Sequence, residues 1–94
     1  MSRKLDQSRT LYKRCQGSLA GGASSSYKPG YPFPIFWERG DGARLYDVDG
    51  NEYLDYTLSA GPTLLGHSPA PVIDAVKAQL ERGLLFPGVH TGEL

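Results

Sequence analysis

Residues 35–57 read IFWERGDGARLYDVDGNEYLDYT, and little except a three-stranded antiparallel meander accommodates that order. The segments IFWER, ARLYD and EYLDYT are short and rich in aromatic and branched residues, which suit a pleated, half-buried surface. GDG and VDGN separate them, and Asp-Gly and Gly-Asn steps supply the positive backbone angles that tight hairpin turns need. Calcium binding is the competing reading of these acids. An EF-hand loop places carboxylates at positions one, three and five, glycine at six and glutamate at twelve. Counting from Asp47, the glycine falls at position four, and Thr57 or Leu58 stands where the glutamate belongs. The acids therefore read as turn formers, with Asp49, Gly50 and Asn51 setting the backbone angles. Trp37, Phe36, Tyr46, Tyr53 and Tyr56 read as sheet core. A nucleic-acid stacking platform would come with basic residues, whereas these strands also carry Glu38, Asp47, Glu52 and Asp55.

Flanking segments complete an α+β pattern. Residues 2–16 space Leu5, Leu11, Tyr12 and Cys15 at roughly helical intervals, and the glycine- and serine-rich run after them ends that helix. YKPGYPFP, residues 27–34, alternates aromatics with prolines and reads as an extended connector. The clearest helix follows the sheet, in SPAPVIDAVKAQLERG. Ser68 suits its N-cap, Pro69 its first helical position and Gly83 the position just past its end, while Val72, Ile73, Val76 and Leu80 share one face. Asp74 early and Arg82 late match the helix dipole. Between sheet and helix, TLSAGPTLLGH has no charge if His67 is neutral, and a long uncharged loop is functional or needs covering. The same holds for the apolar start of the tail LLFPGVHTGEL. The chain thus divides into an N-terminal helix and Gly/Pro-rich connector at 1–34, a sheet with its helix at 35–83, and a lead into further structure at 84–94.

Ten basic residues balance ten acidic ones, so overall charge points neither to nucleic acid nor to an anionic membrane. No apolar run approaches the ~20 residues that span a bilayer. Cys15 has no second cysteine to pair with, and the polar start does not resemble a signal peptide, so a cytoplasmic location is expected. Two histidines are too few for a metal cluster, and His67 reads as a structural residue bonding backbone at the mouth of the second helix. GASSS and LSAGP resemble a nucleophile elbow only superficially, and AGGASSS, without a strand before it and a firm helix after it, is not a phosphate loop. Among Lys4, Lys13, Lys28 and Lys77, three fall on expected solvated helix faces; Lys28, in the connector, suits an orienting or carboxylate-binding contact.

Taken in order, RGDGARLYDVDGNEYLDYTLSAGPTLLGHSPAPVIDAVKAQLERG resembles the N-terminal segment of class III pyridoxal-phosphate (PLP) aminotransferases. Their pattern runs from a charged G-x-G turn through D-x-D-G-x-x-[YF]-[IL]-D to a G-H, a proline-initiated helix and a closing glycine. SRTLYKRCQGSLAGGASS upstream is similar to the leading helix and G-G-x-S-S turn of the glutamate-1-semialdehyde aminomutase-like branch. The resemblance implies the small-domain part of a fold-type-I transferase that works with PLP as a homodimer. It also implies that the lysine carrying the cofactor, the aspartate pairing with its ring nitrogen and the phosphate-binding turn come later than residue 94, so this chain has no catalytic or PLP-binding residue of its own. Its expected contribution is a substrate pocket made of Lys28, Ser59, Ala60, Gly61 and Pro62. Lys28 stands where the branch carries an arginine for the substrate carboxylate, keeping the charge but losing the bidentate fork. Ala60 replaces a frequent aromatic residue and widens the pocket. Both departures favour an unspecified aminotransferase of similar ancestry. Two other readings remain open at this point: a non-catalytic module that pairs with a homologous aminotransferase subunit, and a small soluble binding domain.

Overall fold

The computed structural model describes residues 3–24 and 32–93. Lys28 and most of the proline-rich connector lie outside the described residues.

Helix α1 (Asp6–Gln16) leads into strands β1 (Trp37–Asp41), β2 (Arg44–Asp47) and β3 (Glu52–Leu54), and helix α2 (Ala70–Arg82) follows. The strands form one antiparallel sheet in the order β1-β2-β3. Asp41 pairs with Arg44 across the first turn, Gly40 with Leu45, Arg39 with Tyr46 and Trp37 with Asp47, with a bulge between Trp37 and Arg39. The first strand therefore lies two residues later than the pattern suggested. Only Gly42 of the GDG turns the chain, at φ +53. Gly40 is extended within β1, and its reason for being glycine is packing: a Cβ there would lie 2.6 Å from Cγ of His67.

The second hairpin is organised by one carboxylate. Asp47 Oδ1 accepts from the N–H groups of Asp49 (3.0 Å) and Asn51 (2.8 Å), and Oδ2 accepts from Asn51 Nδ2 and the Tyr53 hydroxyl, both at 2.8 Å. Asp47 is fully buried. Burial pushes its carboxyl up, but the bonds from Asn51, Tyr53 and Asp49 outweigh this and hold it below the usual carboxylate range. Gly50, at φ +84, supplies the left-handed residue that a three-residue hairpin loop requires.

Asp49 does something the local pattern did not indicate. Its two oxygens accept from the N–H groups of Gln7 (2.7 Å) and Ser8 (2.9 Å), so the hairpin caps α1 from more than 40 residues away. Leu5, at the cap position itself, offers no side-chain bond. The carboxylate also meets the positive end of the helix dipole. Asn51 Nδ2 reaches the Lys4 carbonyl at 2.8 Å, and the Arg3 guanidinium sits 4.0 Å from the centre of the Tyr53 ring. Buried Ser8 accepts from the Phe36 N–H at 3.4 Å. Helix and sheet are thus joined chiefly by polar contacts.

Helix α2 begins differently from expectation. Pro69, not Ser68, is at the cap position, and Ser68, at φ +53, turns its hydroxyl back to donate to the Gly40 carbonyl at 3.0 Å. Pro69 and Pro71 lack N–H groups, which leaves a serine cap fewer donors to accept from. Asp74 falls beyond the first turn, whereas Arg82 does lie in the last and Gly83, at φ +99, closes the helix. Gln79 Nε2 donates to the Gly83 carbonyl at 2.9 Å.

The aromatic sheet core is not realised within this chain. Trp37 meets Tyr53 edge-on with ring centres 5.0 Å apart, yet Trp37 is 47% exposed and Tyr56 87%. Pro34 aside, no apolar side chain among the described residues is buried; the two fully buried side chains are Ser8 and Asp47. The apolar face of α2 is likewise open, with Val76 49% and Leu80 54% exposed. The radius of gyration, 17.1 Å, exceeds the roughly 12 Å of a compact domain of this length.

Candidate functional site

The chain between β3 and α2 leaves the sheet at Asp55 and returns to it at His67. Its return is fixed by two backbone bonds: the Gly42 N–H donates to the His67 carbonyl (3.0 Å) and the His67 N–H to the Gly42 carbonyl (2.8 Å). Gly66, at φ +78, permits this approach, since a Cβ there would lie 2.8 Å from the Gly42 carbonyl oxygen.

A side-chain clasp closes the two ends. Asp55 Oδ2 lies 2.7 Å from His67 Nε2. His67 is therefore structural, as expected, but its ring meets a carboxylate rather than backbone. Asp55 Oδ1 accepts from the Thr57 N–H and hydroxyl, both at 2.8 Å, and from the Leu58 N–H at 3.0 Å. The Asp55 side chain is 3% exposed and that of His67 18%. Bonds from the Thr57 hydroxyl and the His67 ring, with smaller help from the two N–H groups, lower the Asp55 carboxyl to about 2. An ionised carboxylate only accepts, so Nε2 is the donor of the pair. Because this carboxyl lies lower when folded than its ordinary 3.8, its contribution is complete above that value and is lost as pH falls through about 2. The Leu58 amide resonance is expected to titrate with a midpoint near 2; a midpoint at the ordinary carboxylate value would contradict the clasp.

Between the clasped ends the backbone is strained. Leu58, Ser59 and Ala60 have φ of +49, +54 and +64, and Gly61 follows at +121. Their bonds, Ala60 N–H to the Thr57 carbonyl (2.8 Å) and Gly61 N–H to the Leu58 carbonyl (2.9 Å), close a left-handed turn. Left-handed conformation costs roughly 1–2 kcal/mol for each residue that carries a Cβ, so non-glycine residues visit it singly rather than in runs. Three in succession persist only where the surroundings over-determine them, and such strain concentrates at functional sites.

Ser59, Ala60, Gly61 and Pro62 all stand on or beside this turn and are exposed. They line neither of two open cavities among the described residues. One, of about 480 Å³, lies between α1 and β1 against Cys15, Leu19, Phe36 and Trp37; the other, of similar volume, lies under the tail against Gln79, Leu84, Phe86 and His90. The sequence signal for Asp55 is slight: an Asp two positions before a Thr is a sign of local side-chain-to-backbone bonding.

Comparison with known proteins decides the family. Residues 26–93 match the family model described as aminotransferase class-III. The chain belongs to the class-III aminotransferases. Relatives of this class-III segment include the glutamate-1-semialdehyde 2,1-aminomutase of Archaeoglobus fulgidus, 46% identical over 83 residues, 88% of this chain and 20% of that protein. A second aminomutase, from Bacillus cereus, is 44% identical over 87 residues, again 20% of its length. Among solved structures, a transaminase with PLP bound matches 98% of this chain and 22% of its own at a TM-score of 0.94 and 28% identity. An omega-transaminase from Sphaerobacter thermophilus matches at 0.85 and 30% identity, covering 88% of this chain and 19% of its own. The class-III segment thus spans about a fifth of the length of the curated relatives it matches, and its two helices and antiparallel sheet are those of one part of solved transaminases.

Proposed function

We propose that this chain acts as the N-terminal part of a PLP-dependent class-III aminotransferase, which moves an amino group from a donor to a carbonyl acceptor. The observation that carries the reading is the match itself: close identity to aminomutases across nearly the whole of this chain but only a fifth of theirs. The turn at residues 59–62 then forms part of the substrate pocket wall, and Lys28 contacts the substrate carboxylate. The absence of charge and the strained backbone of that turn support the assignment. The segment works in a cytoplasmic homodimer, with residues 84–94 leading into the larger domain. The open apolar face of α2, together with Leu84 and Leu85 at 62% and 95% exposure, supports a covering surface from the remainder of the enzyme or a second subunit.

PLP chemistry needs a lysine amine in a desolvated pocket. Lys4, Lys13 and Lys77 are exposed, and the two cavities described above are lined by neither lysine nor carboxylate. The described residues do not fit the cofactor. The role of this chain is to shape and orient.

The test is to join the 94 residues to the remainder of the Archaeoglobus fulgidus aminomutase in place of its own matching segment. The joined protein is expected to take up PLP and transfer amino groups, whereas the chain alone does neither. A chain that alone binds PLP covalently would overturn this division of labour.

A further inference from the structure

We infer that Asp55 and His67 are positioning residues that hold the left-handed turn Leu58–Ala60 in the shape that presents residues 59–62 to the substrate. The inference rests on the pocket assignment proposed above. Three observations carry it. The turn is strained at three residues in succession, so its shape has to be imposed from outside. The Asp55 carboxylate imposes it, because one oxygen gathers the Thr57 N–H and hydroxyl and the Leu58 N–H at the entrance to the turn while the other is held by His67. His67 is itself immobilised, through its backbone pairing with Gly42 and through its ring against Gly40, where no side chain could stand. The path from sheet to turn is thus continuous: the β1-β2 hairpin fixes His67, His67 fixes Asp55, and Asp55 fixes the turn.

Neither side chain is on the exposed part of the loop, so their removal acts on the substrate only through the turn. In the joined protein, Asp55→Ala is expected to raise the KM for the amino donor by roughly tenfold or more, with kcat changed less and PLP retained. Hydrogen exchange at the Ala60 and Gly61 amides is expected to quicken by a similar factor. Adding Ala60→Gly, which relieves the strain at one of the three positions, is expected to recover part of the KM loss. A purely structural role would leave KM unmoved in protein that folds and retains PLP. Should Asp55→Ala fail to fold, Asp55→Asn keeps the acceptor for Thr57 and Leu58 and sets an amide NH₂ against His67 Nε2; the same changes, smaller in size, are expected. Unchanged KM and unchanged exchange in either folded variant would overturn the inference. An inactive joined protein in which Asp55→Ala still quickens exchange at Ala60 would overturn the pocket assignment instead, leaving a clasp with no substrate to serve.

Discussion

Asp47→Ala is expected to destabilise the joined protein by about 3 kcal/mol, because it strands several donors at once. The carboxylate is fully buried and accepts four hydrogen bonds, two from backbone N–H groups, one from the Asn51 side chain and one from the Tyr53 hydroxyl. Alanine removes every acceptor while leaving those donors in place. The damage spreads, since the hairpin loop that Asp47 shapes also carries Asp49, which caps α1, and Asn51, which holds the Lys4 carbonyl. Urea unfolding of the joined protein measures the loss. Asp47→Asn, retaining one acceptor oxygen, is expected to lose less; equal losses would indicate that charge rather than acceptor geometry matters.

Gly66→Ala is expected to cost about 2–4 kcal/mol and to open the loop at its return to the sheet. Two penalties coincide there. Gly66 sits at φ +78, where an L residue is strained, and an added Cβ would press to 2.8 Å from the Gly42 carbonyl oxygen, a backbone atom without freedom to turn aside. Relief requires separating residue 66 from Gly42, which breaks the paired bonds between Gly42 and His67. The variant is therefore expected to show both a lower urea midpoint and faster exchange at the His67 amide. Gly61→Ala makes the contrast, because open space surrounds its Cβ position and only backbone strain at φ +121 remains.

The features legible in the sequence were those whose causes are local. Short segments rich in aromatic and branched residues, with Gly50 between them, announced the second hairpin, and the spacing of Val72, Ile73, Val76 and Leu80 with Gly83 announced α2. The features not legible there depend on residues distant in the chain. Asp49 reads as a turn former until α1 folds onto it, and nothing near Asp55 tells that His67 will stand against its carboxylate. Gly40 resembles a turn glycine in sequence, because a glycine required for close packing looks the same as one required for a positive angle. Ser68 has the residue type of a cap, but two prolines leave that cap fewer partners. The left-handed turn was the least legible, since Leu58, Ser59 and Ala60 carry no preference for it. The family pattern pointed to residues 59–62 as a proposed pocket wall, and the structure adds that this stretch adjoins the strained turn.

Amino transfer by the joined protein, set beside the chain alone and the remainder of the relative alone, tests the central claim most directly. The account predicts transfer by the joined protein at a rate within roughly tenfold of the parent relative and none by either part alone, since pocket geometry divided between two segments is lost when they are separated. Transfer by the remainder alone at the rate of the joined protein would contradict it, because the segment at residues 3–93 would then contribute nothing to the site.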